Sequence, residues 1–290
     1  MSPFPENLLG ARFKIVGERQ TSRRTAVPIL LYHAVTETPG SHIAPFTVSP
    51  DTFARQLDVL VEAGYHCVTF GELMAAEATG RPPGPGGKVA VLTFDDGFAD
   101  FATAALPALR ERSLVSTLYL TTGWLDGVRD RHPGPSDPML SLTELPDLLH
   151  QGVELGAHSH SHPQMDTLRD AALREELVRP REILEDVLGH PVTTFAYPHG
   201  YNGPRVRRAT RAAGYDNACG VRNALHCAGE ETFGISRLML RSTTTLDELT
   251  GWLEAVECAP LVREAWQTRG WRAYRRTRAL ITGRPGSAYR

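Results

Sequence analysis

At 290 residues the chain can bury one barrel-sized α/β core or two smaller ones, and 41% hydrophobic with 22% charged residues is ordinary for a globular protein in water. A net charge of −2 excludes strong whole-molecule attraction to nucleic acid or anionic lipid. Cys67, Cys219, Cys227 and Cys258 form no C-x-x-C pair, which argues against a disulfide framework and a thiolate zinc site. Free, mostly buried thiols in a reducing compartment are expected, with room for one bridge.

Residues 1–26 read as a polar tail interrupted by Pro3, Pro5, Gly10 and Gly17. No apolar signal-type stretch stands there, and no run of eighteen apolar residues occurs anywhere, so a cytoplasmic enzyme is expected. Residues 27–32 form an apolar strand ending at His33, and a Pro/Gly/Ser-rich loop follows to residue 50. Ser49-Pro50-Asp51 opens a helix carrying Phe53, Leu57, Leu60 and Val61 at helical spacing, and Gly64 stops it. A strand over 66–70 and a short helix to Ala78 precede the turn-rich connector Gly80–Gly87.

Lys88–Phe94 is the clearest strand and delivers Asp95 and Asp96 at its C-terminal end. A helix over 98–112, a strand over 115–120 and a loop with Pro133, Pro135 and Pro138 come next. Ser141 and Glu144 have capping-box spacing, and a strand over 153–157 delivers His158. A charged helix covers 167–188 with Pro180 as a kink or break; a strand over 193–197 ends at Pro198-His199-Gly200. A basic helix over 203–213, strands over 215–219 and 235–240 and a helix over 246–258 complete the core.

Alternating strands and helices imply a mainly parallel α/β sheet, and seven or eight strands fit a single (β/α)7–8 barrel better than two domains. The polar candidates His33, Asp95, Asp96, His158 and His199 fall at strand C-termini, where barrel sites assemble. The expected organisation is a tail over 1–26, a catalytic barrel over 27–258 and a tail over 259–290. That last tail holds eight arginines and one glutamate interleaved with Trp266, Trp271, Tyr274 and Tyr289. It reads either as a solvated extension or as a docking segment for an anionic membrane surface or a protein.

Adjacent side chains at a strand end point in different directions, so Asp95 can act as a base while Asp96 binds a cation. Read alone, Asp-Asp-Gly also fits a helix cap plus turn. His158 and His162, four positions apart, can converge on one ion. One Asp and two His make a three-ligand set with open positions for water and substrate.

The motifs TFDDG at 93–97, HSHSH at 158–162 with Pro163, and FAYPHG at 195–200 resemble those of the polysaccharide deacetylases of the NodB-homology type, carbohydrate esterase family 4. The resemblance covers residues 27–245 and implies a metal-dependent carbohydrate N-deacetylase acting on an N-acetylhexosamine glycan. It implies Asp95 as general base and Asp96, His158 and His162 as ligands of one divalent ion, zinc first, with cobalt, nickel or manganese as alternatives. The backbone N–H of His199 would stabilise the oxyanion, with Tyr197 beside it. Where the family carries an arginine this chain has Ala196, so Arg237 or Arg241 is expected to tune Asp95 from another strand. The family's C-terminal Leu-x-His is matched instead by Leu31-Tyr32-His33 on the first strand, a permuted order resembling the poly-N-acetylglucosamine deacetylases. His33 is therefore the expected general acid and Leu31 a wall of the acyl pocket. An O-acetyl ester, a cyclic amide, or a non-catalytic carbohydrate-binding relic are the alternatives. His160 is expected in solvent or loop contact, and His132 and His226 in loops that touch substrate, while His42 is expected at the surface or in a structural role. Loops 34–50, 121–140 and 221–233 are expected to face substrate.

Overall fold

The structure is a computed structural model, and it describes residues 26–84, 86–129 and 131–255. Its strands are β1 (Ala26–Val27), β2 (Ile29–Tyr32), β3 (Tyr65–Cys67), β4 (Lys88–Phe94), β5 (Ser116–Leu120), β6 (Val153–Ala157), β7 (Thr194–Ala196), β8 (Asn217–Cys219), β9 (His226–Cys227) and β10 (Leu238–Met239). The helices are α1 (Pro50–Glu62), α2 (Phe70–Thr79), α3 (Leu106–Glu111), α4 (Leu145–His150), α5 (Asp170–Leu188), α6 (Pro204–Ala212) and α7 (Leu246–Glu254). The strands of the main sheet run parallel in the order β10-β2-β4-β5-β6-β7-β8, with β3 attached to β4. Ile235, just before β10, closes the ring against β8: its N–H donates to the Ala218 carbonyl at 3.1 Å, and its carbonyl accepts from Gly220 at 2.9 Å. The α/β barrel expected from the alternating pattern is therefore present, with β2 seated between β10 and β4.

Strand periodicity sorts the residues onto two faces. On β4, Ala90, Leu92 and Phe94 pack outward under the helices, while Val89 and Val91 point inside with the buried Thr93. Leu155 and Ala157 of β6 likewise pack outward, leaving Gly156 for the interior. A Cβ on Gly156 would lie 2.6 Å from the Tyr119 ring, so an aromatic side chain fills the space that any larger residue would need. Continuing the same alternation past the strand ends brings Asp95 and His158 inward.

Local signals fix the helix ends. Ser49 accepts from the Thr52 N–H at the start of α1, and Thr69 with Glu72, Ser141 with Glu144 and Thr245 with Glu248 complete reciprocal capping boxes. Two expectations need correction. Residues 98–112 are not one regular helix: Phe101–Ala105 is wound as a π-helix before α3. Pro180 lies within α5 without ending it, so the expected break is absent. Cys67 and Cys219 are free thiols and Cys227 is disulfide-bonded, the one bridge for which the sequence left room. Among the described residues no helix is long and apolar enough to cross a membrane. The basic segment 259–290 and the tail 1–25 lie outside the described residues.

Candidate active site

Asp96 Oδ1 lies 3.5 Å from His158 Nε2 and 3.4 Å from His162 Nε2, and all three side chains are buried. Three donors on a tetrahedral zinc ion would stand about 3.3 Å apart, given metal–ligand bonds of about 2.0–2.1 Å. The spacing fits a divalent cation, and Asp, His and His suit zinc or a neighbouring transition metal. His158 donates its Nδ1–H to the Ala196 carbonyl at 2.8 Å, which turns Nε2 toward the ion position. The residue that replaces the family's arginine thus serves the ligand set through its backbone.

Protonation within the cluster follows burial. Burial and then the Asp95 charge push the Asp96 carboxyl well above its ordinary value. Burial likewise lowers His158, and lowers His162 well below the ordinary imidazole value with help from His199, His158 and His33. Neutral imidazoles are the form that binds a metal, and a bound cation would reverse the shift on Asp96.

Asp95 is treated differently from its neighbour. The guanidinium of Arg237 donates from Nη1 to Oδ1 and from Nη2 to Oδ2, both at 2.8 Å. Burial pushes Asp95 up, but Arg237, His158 and His33 outweigh it and hold the carboxylate below its ordinary value. Arg237 is itself fully buried, held by Nε to the Gly220 carbonyl at 3.1 Å and by Nη1 to Thr93 Oγ1 at 3.1 Å. Two adjacent aspartates therefore differ in setting: one is ionised and oriented by Arg237, the other sits with the two histidines in a cluster that could hold a cation.

A pocket of about 300 Å³ opens over these groups and is lined also by Leu31, His33, Tyr197 and His199. Burial drives His33 down to about 4 while Asp95 opposes it, so its imidazole is neutral near pH 7. The buried Nδ1 of His33 has no hydrogen-bond partner among the described residues. Tyr197 donates its hydroxyl to the Phe233 carbonyl at 3.0 Å, leaving its ring rather than its OH for the pocket.

The backbone carrying these residues is unusual. Among the described residues six non-glycine positions have positive φ, and four of them, Asp96, Ser159, His162 and His199, belong to these motifs. Side chains pay for left-handed backbone, and such residues cluster where geometry is imposed by surroundings. Here Ser159 Oγ accepts the His162 N–H at 3.0 Å, and Glu176 of α5 accepts the N–H groups of His160 and Ser161 at 2.9 Å each. The sequence reading missed Glu176, whose only local signal is one acid in a charged helix.

Several expected positions shift. His160 is buried and pairs through Nδ1 with Thr122 Oγ1 at 2.8 Å, which is the loop contact of its two expected alternatives. His226 is buried between Glu77 and Glu230, far from any substrate-facing role. His42 lines the pocket, whereas loop 121–140 does not; its Trp124 stacks behind His162 with ring centroids 4.9 Å apart. Arg241 stands on the pocket wall and leaves Asp95 to Arg237.

Residues 83–218 match the sequence profile of the family described as "Polysaccharide deacetylase". The chain is 21% identical over 196 residues to YxkH of Bacillus subtilis (strain 168), a match covering 68% of this chain and 64%, under two thirds, of that protein. It is 28% identical over 116 residues to Chitin deacetylase 1 of Cryptococcus neoformans var. grubii, covering 40% of this chain and 22% of that one. The Streptococcus pyogenes deacetylase PplD, solved in complex with acetate, superposes with a TM-score of 0.70 at 22% identity over 80% of this chain and 100% of its own. IcaB from Ammonifex degensii superposes with a TM-score of 0.68 at 24% identity, over 80% and 98%. At these identities the structural likeness establishes a shared barrel fold.

Proposed function

We propose, on the match of residues 83–218 to the polysaccharide deacetylase profile, that this chain is a metal-dependent hydrolase removing an N-acetyl group from an N-acetylhexosamine-containing glycan or glycoconjugate. The products are acetate and a free amino sugar. The observation that carries the reading is the bidentate Asp95–Arg237 pair beside the buried Asp96–His158–His162 cluster in one pocket. A non-catalytic relic would have no use for an ionised, oriented carboxylate next to the ligand set.

Asp96, His158 and His162 would hold the divalent ion, zinc first by donor type. When bound, such an ion supplies Lewis-acid polarisation of the acyl oxygen. Asp95 takes a proton as a water oxygen adds to the acyl carbon, and Arg237 keeps that carboxylate ionised and aimed. The backbone N–H of His199 stabilises the developing oxyanion, while Leu31 and Tyr197 bound the space for the acyl methyl. As the C–N bond breaks, the nitrogen needs a proton, and the reading assigns its delivery to His33, which lines the pocket. His33 starts neutral, so its proton has to arrive during turnover; the proton gained by Asp95, which acts on His33 electrostatically, is the available source.

The test is acetate and amine release from an N-acetylglucosamine oligomer and acetate release from an O-acetylated analogue, with and without chelator. Chelator-sensitive amine release supports the amidase; release from the ester alone would overturn it. His33→Ala should keep its metal and lose about 10²-fold or more in amide turnover, the range typical of acid–base residues. Full activity in that variant would remove the acid role from the first strand.

A cytoplasmic setting is what the sequence suggests, whereas the disulfide at Cys227 favours maturation in an oxidising compartment. A peripheral contact through residues 259–290 rests on their composition alone, and no nucleic-acid partner is proposed for a chain of net charge −2.

A further inference from the structure

Two arginines compete in sequence for the place beside Asp95, and the one left over stands where a substrate would meet it. Asp95, Asp96 and Arg241 are the Asp, Glu, Lys and Arg residues among those lining the pocket. Asp95 is neutralised by Arg237 and Asp96 belongs to the cation cluster, so Arg241 is the wall's one uncommitted formal charge among the described residues. Around it the wall is largely apolar, with Ile43, Phe46, Val221 and Met239.

Arg241 is exposed but held in place. Its guanidinium carbon lies 5.1 Å from the centroid of the Phe46 ring. Its N–H donates to Thr244 Oγ1 at 3.0 Å, and the next residue, Ser242, donates its N–H to the Pro45 carbonyl at 3.2 Å. The segments carrying the cation and its aromatic platform are thus tied together. Phe46 also faces His33, with ring centroids 5.4 Å apart. The guanidinium and the imidazole assigned to the departing nitrogen thus pack on the same aromatic ring.

We propose that Arg241 is an anion subsite, and that the substrate is an N-acetylhexosamine bearing a phosphate or carboxylate on a ring carbon next to the acetamido-bearing carbon. This rests on the deacetylase reading, which puts the acetamido nitrogen at His33. Substituents on the neighbouring carbons are then the ones within reach across Phe46. A guanidinium fork accepts either anion in two parallel hydrogen bonds, and a fixed positive charge at a pocket mouth raises the local concentration of anionic ligands.

The experiment measures kcat and KM of the metal-loaded protein for methyl N-acetylglucosaminide, N-acetylglucosamine 1-phosphate and N-acetylmuramic acid, each with wild type, Arg241→Met and Arg241→Lys. At least one anionic substrate should show a KM about tenfold below that of the neutral glycoside, the scale of one charge-assisted pair. Arg241→Met should collapse that ratio and Arg241→Lys should keep part of it. Preference for the phosphate alone assigns a phosphoryl group, and preference for the lactyl acid alone assigns a carboxylate. If the neutral glycoside is deacetylated with the same KM as both anions, or Arg241→Met leaves the ratio intact, the subsite is wrong and the deacetylase reading stands. If no acetate is released from any of the three or from a neutral oligomer, both fall.

Discussion

Two buried ionic clusters sit in different parts of this barrel, and they are balanced in opposite ways. In one, His226 Nε2 lies 2.7 Å from Glu77 on α2, and Nδ1 lies 3.1 Å from Glu230. Burial works against its charge, but hydrogen bonds to Glu230 and Glu77 win and raise it to about 9. Each ring nitrogen has a carboxylate, so the cluster needs nothing further. In the other, Asp96, His158 and His162 turn their acceptor atoms toward one point, and the energetics of burial leave them short of a positive charge. A cluster that is satisfied by its own members holds the fold; one that is satisfied only by an added ion is a site.

The largest effect should come from breaking the open cluster. Asp96→Asn is expected to abolish metal binding and lower turnover by about 10³-fold or more. The same change should raise the melting temperature of the chelated protein, because it removes a buried carboxyl that Asp95 opposes. Metal analysis and thermal unfolding in chelator check both halves, and a melting temperature that falls would refute the proposed imbalance.

Breaking the closed cluster should act first on stability. Glu230 also accepts from the N–H and the hydroxyl of Ser236, each at 2.8 Å, and Ser236 immediately precedes Arg237. Glu230→Ala leaves His226 with Glu77 alone and strips Ser236 of both its acceptors, and should cost about 1–3 kcal/mol. It should also lower kcat more than it changes KM, since the backbone leading into Arg237 loses its anchor at Ser236. Glu230→Gln can still bond Ser236 and should restore much of kcat while leaving stability reduced. Equal kcat losses in both variants would separate the cluster from Arg237.

A graded effect follows from pH. The folded-state pKa of His226 is raised from 6.5 to about 9, so its stabilisation is complete below about pH 6.5 and is lost as pH rises through about 9. The loss is at most about 3 kcal/mol, because a tenfold change in proton affinity between folded and unfolded chains is worth about 1.36 kcal/mol. Denaturant midpoints between pH 6 and 10 should show it, and the slope should shrink in Glu230→Gln. A flat profile in wild type would mean that His226 is neutral.

What the sequence disclosed was what lies close together along the chain. Lys88–Phe94 with Asp95 and Asp96, the capping boxes, and the alternation implying a parallel barrel are all local patterns. The partner of Asp95 was narrowed to two arginines and no further, because Arg237 reaches it across 142 residues. His226 was misplaced for the same reason, since Glu77 lies 149 residues away in sequence. The left-handed turns at Ser159 and His162 carry no glycine to announce them, so spacing alone left a helix or a turn open for the two histidines.

The seam of the barrel has a consequence for how the chain matures. β2, which leads to His33, is bonded to β10 across about 200 residues of intervening chain, a span whose closure entropy must be met before the contact gives anything back. During synthesis the first core strand emerges long before its neighbour, and Arg237 is made just ahead of it. Asp95, its arginine and the imidazole of His33 therefore meet only when the last stave docks. A nascent or C-terminally shortened barrel would carry Asp96, His158 and His162 without the completed Asp95–Arg237 pair.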